Sequence, residues 1–189
     1  MNKKFLYVLL TSLAVFGVTA CGSTGVSAFY QLIAQLIVYE NENNASTQGV
    51  MNYAIVSEYG EHINGDSRTL ADGSKVYPNR KMPVADLEIF YREVLGVDKT
   101  FPVGYEDSTG EAGIVVPRNE YAYAYNGIGG GTYPMVESVA QSAGVTEVTC
   151  NVINEFDDSR VGTVSFSLTS ADNPYEYTLI TDSVEYIEN

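Results

Sequence analysis

Tryptophan is absent from the 189 residues, histidine occurs once, and cysteine only twice, at positions 21 and 150. A lone imidazole removes most multi-histidine metal sites and leaves His62 as the single residue open to imidazole chemistry. Two cysteines allow at most one internal disulfide, and none once Cys21 is engaged elsewhere. Positive charge is scarce, with 10 Lys and Arg against 24 Asp and Glu, a net charge of −14. Such a chain is repelled by nucleic-acid phosphates and by anionic headgroups, which excludes a nucleic-acid role. The apolar run from Phe5 to Val18 covers 14 residues, short of the ~20 that a helical span of a bilayer takes.

That run has a different meaning. Lys3 and Lys4 precede it, and Val18-Thr19-Ala20-Cys21 closes it with small residues and a thiol. A basic start, a short apolar core and a small-residue end describe an export signal. The closing tetrapeptide resembles the lipobox of bacterial lipoproteins. The resemblance implies a diacylglyceryl thioether on Cys21, cleavage between Ala20 and Cys21, and display on the extracytoplasmic side of the cell membrane. An ordinary secretory signal with an incidental Cys21 is the competing reading. Two acyl chains at about 0.8 kcal/mol per buried methylene suffice for a stable anchor. The expected organisation is a signal peptide over 1–20, a lipidated tether over 21–26, and one domain over 27–189. Removing Lys3 and Lys4 leaves 8 basic residues against 24 acidic ones, net −16, and six of the eight lie between Arg68 and Lys99. The membrane contact is therefore read as made through the lipid alone.

Within the domain, Phe29, Leu32, Ile33, Leu36 and Ile37 recur at helical spacing and predict a helix over 27–43. A second, weaker period predicts a helix over 49–64 with Val50, Tyr53, Ala54, Val56 and Tyr59 inward. Residues 64–81 are turn-rich and read as a loop. Pro83, then Leu87, Phe90, Tyr91, Val94 and Leu95, then Gly96 mark a helix over 82–98. The remainder reads as strands: 113–116, 120–126, 145–156 and 161–169, with closing strands beyond. Residues 134–144 read as a hairpin arm, although Val136, Val139 and Ala140 also fit a helix. In 145–156 the inward face is expected to carry Val148, Cys150, Val152 and Phe156. Helices followed by an antiparallel sheet give an α+β fold, helices packed on a curved sheet.

That order resembles an NTF2-like cone. Residues 82–181, through Pro83–Glu88, Leu95–Asp98, Glu120–Tyr123, Gly129–Gly131 and a Val-Thr-Cys strand, resemble a domain of uncharacterised lipoproteins of Gram-positive anaerobes. The resemblance implies localisation and fold order only.

Catalytic signatures are thin. His62 has no G-x-S-x-G partner motif, and Cys150 falls on an apolar strand face, where a thiol is buried and inert. Gly129-Gly130-Gly131 lacks the Lys-Ser/Thr of a phosphate loop, and Asp157-Asp158 lacks a calcium ladder. No metal and no cofactor is expected. Tyr121, Tyr123 and Tyr125 are the binding candidates: alternating with Ala122 and Ala124, they line one side of a strand. Turned outward, such a ladder is an amphipathic platform for a small molecule, a glycan or a protein; turned inward, it is core. The chain thus reads as a non-enzymatic binding domain. A cell-envelope hydrolase with an unidentified carboxylate site, and a structural or assembly factor, are the alternatives.

Overall fold

The computed structural model describes residues 25–42, 47–107, 112–125 and 131–189. Cys21, the rest of the lipobox, and Gly129 and Gly130 lie outside them. The first apolar period forms helix α1, Gly25–Glu42, with all five expected residues buried. Tyr30, Ala34 and Val38 are buried too, because α1 packs against a second helix on one side and a sheet on the other.

Helix α2, Thr47–Tyr59, is shorter than expected and rotated. Met51, Asn52, Ile55 and Val56 are buried, whereas Tyr53 and Ala54 are half-buried and Tyr59 is exposed. Packing against α1 and against strands at once blurs a single apolar stripe, which is why its period misleads. The helix stops at Gly60. A Cβ there would stand 2.2 Å from the Val56 carbonyl oxygen and 2.8 Å from that of Lys81, so only glycine lets the chain turn so close to a strand. Residues beyond it form strand β1, Glu61–His62, not a helix end.

The expected loop holds a two-stranded ribbon, β2 (Arg68–Thr69) and β3 (Lys75–Val76), and then strand β4, Pro78–Pro83. Flanking prolines and the polar run Asn79-Arg80-Lys81 conceal β4, yet it pairs with strands on both sides. Pro83, at φ −53°, leads into helix α3, Val84–Ile89. The helix then widens into a π-helical turn, Phe90–Val94, and the chain leaves it at Gly96, φ +69°. Leu87, Phe90, Tyr91, Val94 and Leu95 are all buried, as their spacing predicts.

Six strands follow: β5 (Gly113–Val115), β6 (Tyr121–Tyr125), β7 (Thr132–Ser142), β8 (Val145–Asn154), β9 (Arg160–Ser170) and β10 (Tyr177–Glu188). Ala143 and Gly144, both at positive φ, make the two-residue turn that joins β7 to β8. The architecture is α+β. Apart from the β2–β3 ribbon, the described strands divide between two four-stranded antiparallel sheets, β1-β4-β6-β5 and β10-β9-β8-β7. Helix α2 covers the first, α1 covers the second, and the two helices pack together. Cys150 sits opposite Val164 in β9 and is fully buried, as expected. Phe156 is not inward: β8 ends at Asn154, strand parity ends with it, and the ring is 82 % exposed. Among the described residues, no helix is long and apolar enough to cross a membrane.

Candidate functional site

The tyrosine strand divides unevenly. Ala122 and Ala124 face α2 and α3 and are fully buried, so the tyrosines take the opposite face of the sheet. The β2–β3 ribbon covers one end of that face. Tyr125 is 0 % exposed, packs with Leu70, Val76 and Val115, and donates a 2.9 Å hydrogen bond from its hydroxyl to the Asp107 carbonyl oxygen. Burial pushes its phenol up to about 12. Tyr125 therefore offers nothing to a ligand. Tyr121 and Tyr123 are half-buried, each beneath a cation: Lys81 Nζ lies 4.9 Å from the Tyr121 ring centroid and the Arg68 guanidinium 4.4 Å from that of Tyr123. Lys81 also pairs with Glu61 at 3.1 Å. Only these two of the three expected residues form a surface.

A different part of the molecule forms a cavity. It has a volume of about 510 Å³, within the ~300–1,000 Å³ typical of small-molecule sites. Ile33, Leu36 and Ile37 of α1 and Met51 of α2 give it an apolar wall, continued by Leu95 and Val97 after the π turn. Leu179, Thr181 and Val184 of β10 close the far side. The pairing of β10 with β9 slips between Ile180 and Glu185, where Ser183 Oγ donates to the Ile180 carbonyl oxygen at 2.6 Å. That bulge bends the strand where it borders the space.

Apart from Thr181 on β10, the polar lining residues cluster around Tyr91: Gln48 bonds its hydroxyl, Lys99 lies over its ring and Glu40 acts on it electrostatically. Behind Tyr91 runs a buried chain of hydrogen bonds ending on Asp107. Asp107 Oδ1 accepts from the Tyr105 hydroxyl at 2.7 Å, and Oδ2 accepts from the Ile114 backbone N–H at 3.0 Å. Asn52 presents its Nδ2 to Asp107, donating to Oδ2 at 3.2 Å. Its Oδ1 then faces the cavity side and accepts from the Tyr91 hydroxyl at 2.6 Å, which accepts in turn from Gln48 Nε2 at 2.9 Å. Every donor in this chain points toward Asp107. Burial raises the phenols of Tyr91 and Tyr105, keeping both protonated as donors.

Lys99 has no such partner. Its Nζ is shielded from solvent, makes no hydrogen bond among the described residues, and lies 4.7 Å and 5.2 Å from the ring centroids of Tyr91 and Phe101. Burial draws its ammonium down to about 8, against an opposing pull from Asp107. The rings offset part of the desolvation cost and leave the charge unpaired beside an apolar space. Among the described residues that line the cavity, Glu40 is the only acid.

The remaining expected residues lie elsewhere. His62 is exposed on β1, and Asp157 caps the β8–β9 turn, accepting from Ser159 N–H at 3.0 Å and from its hydroxyl at 2.6 Å. Burial pushes the Cys150 thiol up to about 12. Among the described residues no group of three or more His, Cys, Asp and Glu side chains could hold a metal. Compared with protein-family models, curated proteins and solved structures, the chain matches none.

Sequence reasoning passed over Lys99, Asn52 and Asp107. A lysine after a helix end reads as solvated, and an asparagine amid an ambiguous helix gives no sidedness. The available signal was Tyr91, whose place on the apolar face of 82–98 required a buried partner for its hydroxyl.

Proposed function

We propose that this chain is a lipid-anchored, non-enzymatic binding domain on the extracytoplasmic side of the cell membrane, and that it holds a small ligand in the cavity between α1, α2, the π turn and β10. The observation that carries the reading is the cavity: a largely apolar space of about 510 Å³ with most of its polar lining residues clustered around Tyr91. That combination favours one orientation of one ligand, with apolar burial giving affinity and the polar cluster giving specificity. The unpaired Lys99 beside it supports a binding role, since it supplies a charge for a ligand to pair with. Cys21 supplies the attachment, and the short tether keeps the domain close to the membrane surface. The half-buried Tyr121 and Tyr123, under Lys81 and Arg68, offer a secondary contact surface for a protein or glycan.

Two measurements test this. Membrane-extracted protein should have an intact mass corresponding to a chain that begins at Cys21 and bears a diacylglyceryl group, and Cys21→Ser should release a folded domain. A mature chain beginning elsewhere without lipid removes the anchor from the proposal. Anilinonaphthalene sulfonate should gain fluorescence on the native domain and lose that gain in Val184→Trp, whose indole fills the space from β10. Equal fluorescence in the two proteins, with matching cooperative melts, rules the cavity out as the site.

A further inference from the structure

Lys99 and the shape of the cavity define the class of ligand, given the cavity reading above. We propose that the site takes a single-chain amphiphile ending in one carboxylate, its hydrocarbon chain along α1 and β10 and its carboxylate against Lys99. Four observations lead there. The lining is mostly aliphatic, with Ile33, Leu36, Ile37, Met51, Leu179 and Val184 among its members; among the described residues it holds one aromatic residue, Tyr91, whose hydroxyl is already engaged on both sides. A chain of methylenes fits such walls better than a sugar or a peptide, whose many polar groups would find no partners there.

The single cation fixes the other end. Among the described residues Lys99 Nζ has no hydrogen-bond partner and no direct ion pair, and a buried ammonium without a direct counter-charge is a group awaiting one. It rests on the faces of Tyr91 and Phe101, from which its four-carbon stem can swing toward the cavity by rotation about its terminal torsions. One ammonium balances one negative charge. A phosphate dianion would leave charge uncompensated and would meet the Glu40 carboxylate in the same wall. Gln48 cannot add a donor, since its Nε2 is occupied by the Tyr91 hydroxyl and by Asn52 Oδ1. The Lys99 ammonium, which makes no ion pair with Glu40 or Asp107 among the described residues, is therefore matched one to one by a single carboxylate.

Calorimetric titration of the full chain carrying Cys21→Ser, which needs no detergent, decides the matter with three probes below their micelle concentrations: laurate, dodecanol and dodecyltrimethylammonium. Laurate should bind at least tenfold tighter than dodecanol, and the cationic amphiphile should bind more weakly than either. Decanoate should bind about fifteenfold more weakly than laurate, about fourfold for each methylene lost. Lys99→Met should reduce laurate to the affinity of dodecanol while leaving dodecanol unchanged, the latter showing that the cavity survives the substitution. Should that variant not fold, the laurate-to-dodecanol ratio of the unsubstituted protein and its loss above pH 8 decide alone.

Equal binding of laurate and dodecanol, both abolished by Val184→Trp, overturns the carboxylate assignment and leaves the cavity as a site for neutral ligands. Binding of no probe, or a laurate preference that persists in Val184→Trp, overturns the inference together with the cavity reading.

Discussion

The Tyr91 hydroxyl donates a 2.6 Å hydrogen bond to Oδ1 of Asn52, 39 residues away in the chain. This contact joins the π turn to α2 and passes through Asn52 to Asp107, ahead of β5. It ties together three segments that border or back the cavity. In a low-dielectric interior such a chain contributes most when every member is satisfied, and removing one member exposes the cost of the others.

Tyr91→Phe should therefore destabilise the domain by about 1–3 kcal/mol, because the buried Asn52 Oδ1 loses its short donor and keeps only Gln48 at 3.3 Å. Asn52→Leu should cost more, since it also withdraws a donor from the buried Asp107 carboxylate. Urea midpoints at unchanged m-value measure both. Negligible losses in both would mean that the network adds nothing to stability.

The tyrosines of β6 should separate in the same kind of experiment. Tyr125→Ala should cost about 3–5 kcal/mol, as for other fully buried aromatics. Tyr121→Ala and Tyr123→Ala should each cost clearly less than Tyr125→Ala, since their rings are only half-buried. A thermal melt of each single variant distinguishes the positions. Similar losses at all three would place them in one core.

Lys99 should make stability depend on pH in a particular direction. Its pKa falls from ~10.4 in the unfolded chain to about 8 in the fold, burial being the cause. Between those values the unfolded chain binds more protons, so the contribution of this residue to stability rises with pH across that window. Below pH 8 the full cost of burying the charge is present; above ~10.4 it is gone. The groups around it are the Tyr91 and Phe101 rings, Asp107, which opposes the shift, and Glu40 in the cavity wall. Lys99→Met should be more stable than the unsubstituted protein at pH 7, with the difference shrinking from pH 8 to about 10. Comparing the two proteins cancels the tyrosines, whose raised phenols act oppositely at high pH. A difference independent of pH would mean that Lys99 is solvated. For a carboxylate ligand the same titration should weaken binding as pH rises past 8.

Local patterns by themselves determined a good deal. Five apolar residues at helical spacing placed α1, and the face from Leu87 to Leu95 was legible because each of those residues is buried by the same side of one helix. Strict alternation through Val148, Cys150 and Val152 set the sidedness of β8, and the succession of helices then strands gave the α+β class. These readings hold because burial repeats with the backbone period, which neighbouring residues carry between them. Tertiary structure decided the rest. Packing against two neighbours rotated α2 away from its apparent stripe, and the β2–β3 ribbon buried Tyr125 while leaving Tyr121 and Tyr123 at the surface. The π turn, the bulge of β10 and the helices then enclosed a space beside Lys99. No local period encodes which side chains meet across 39 or 55 positions; a lysine becomes a buried, unpaired cation only when separate segments pack around it and water is excluded.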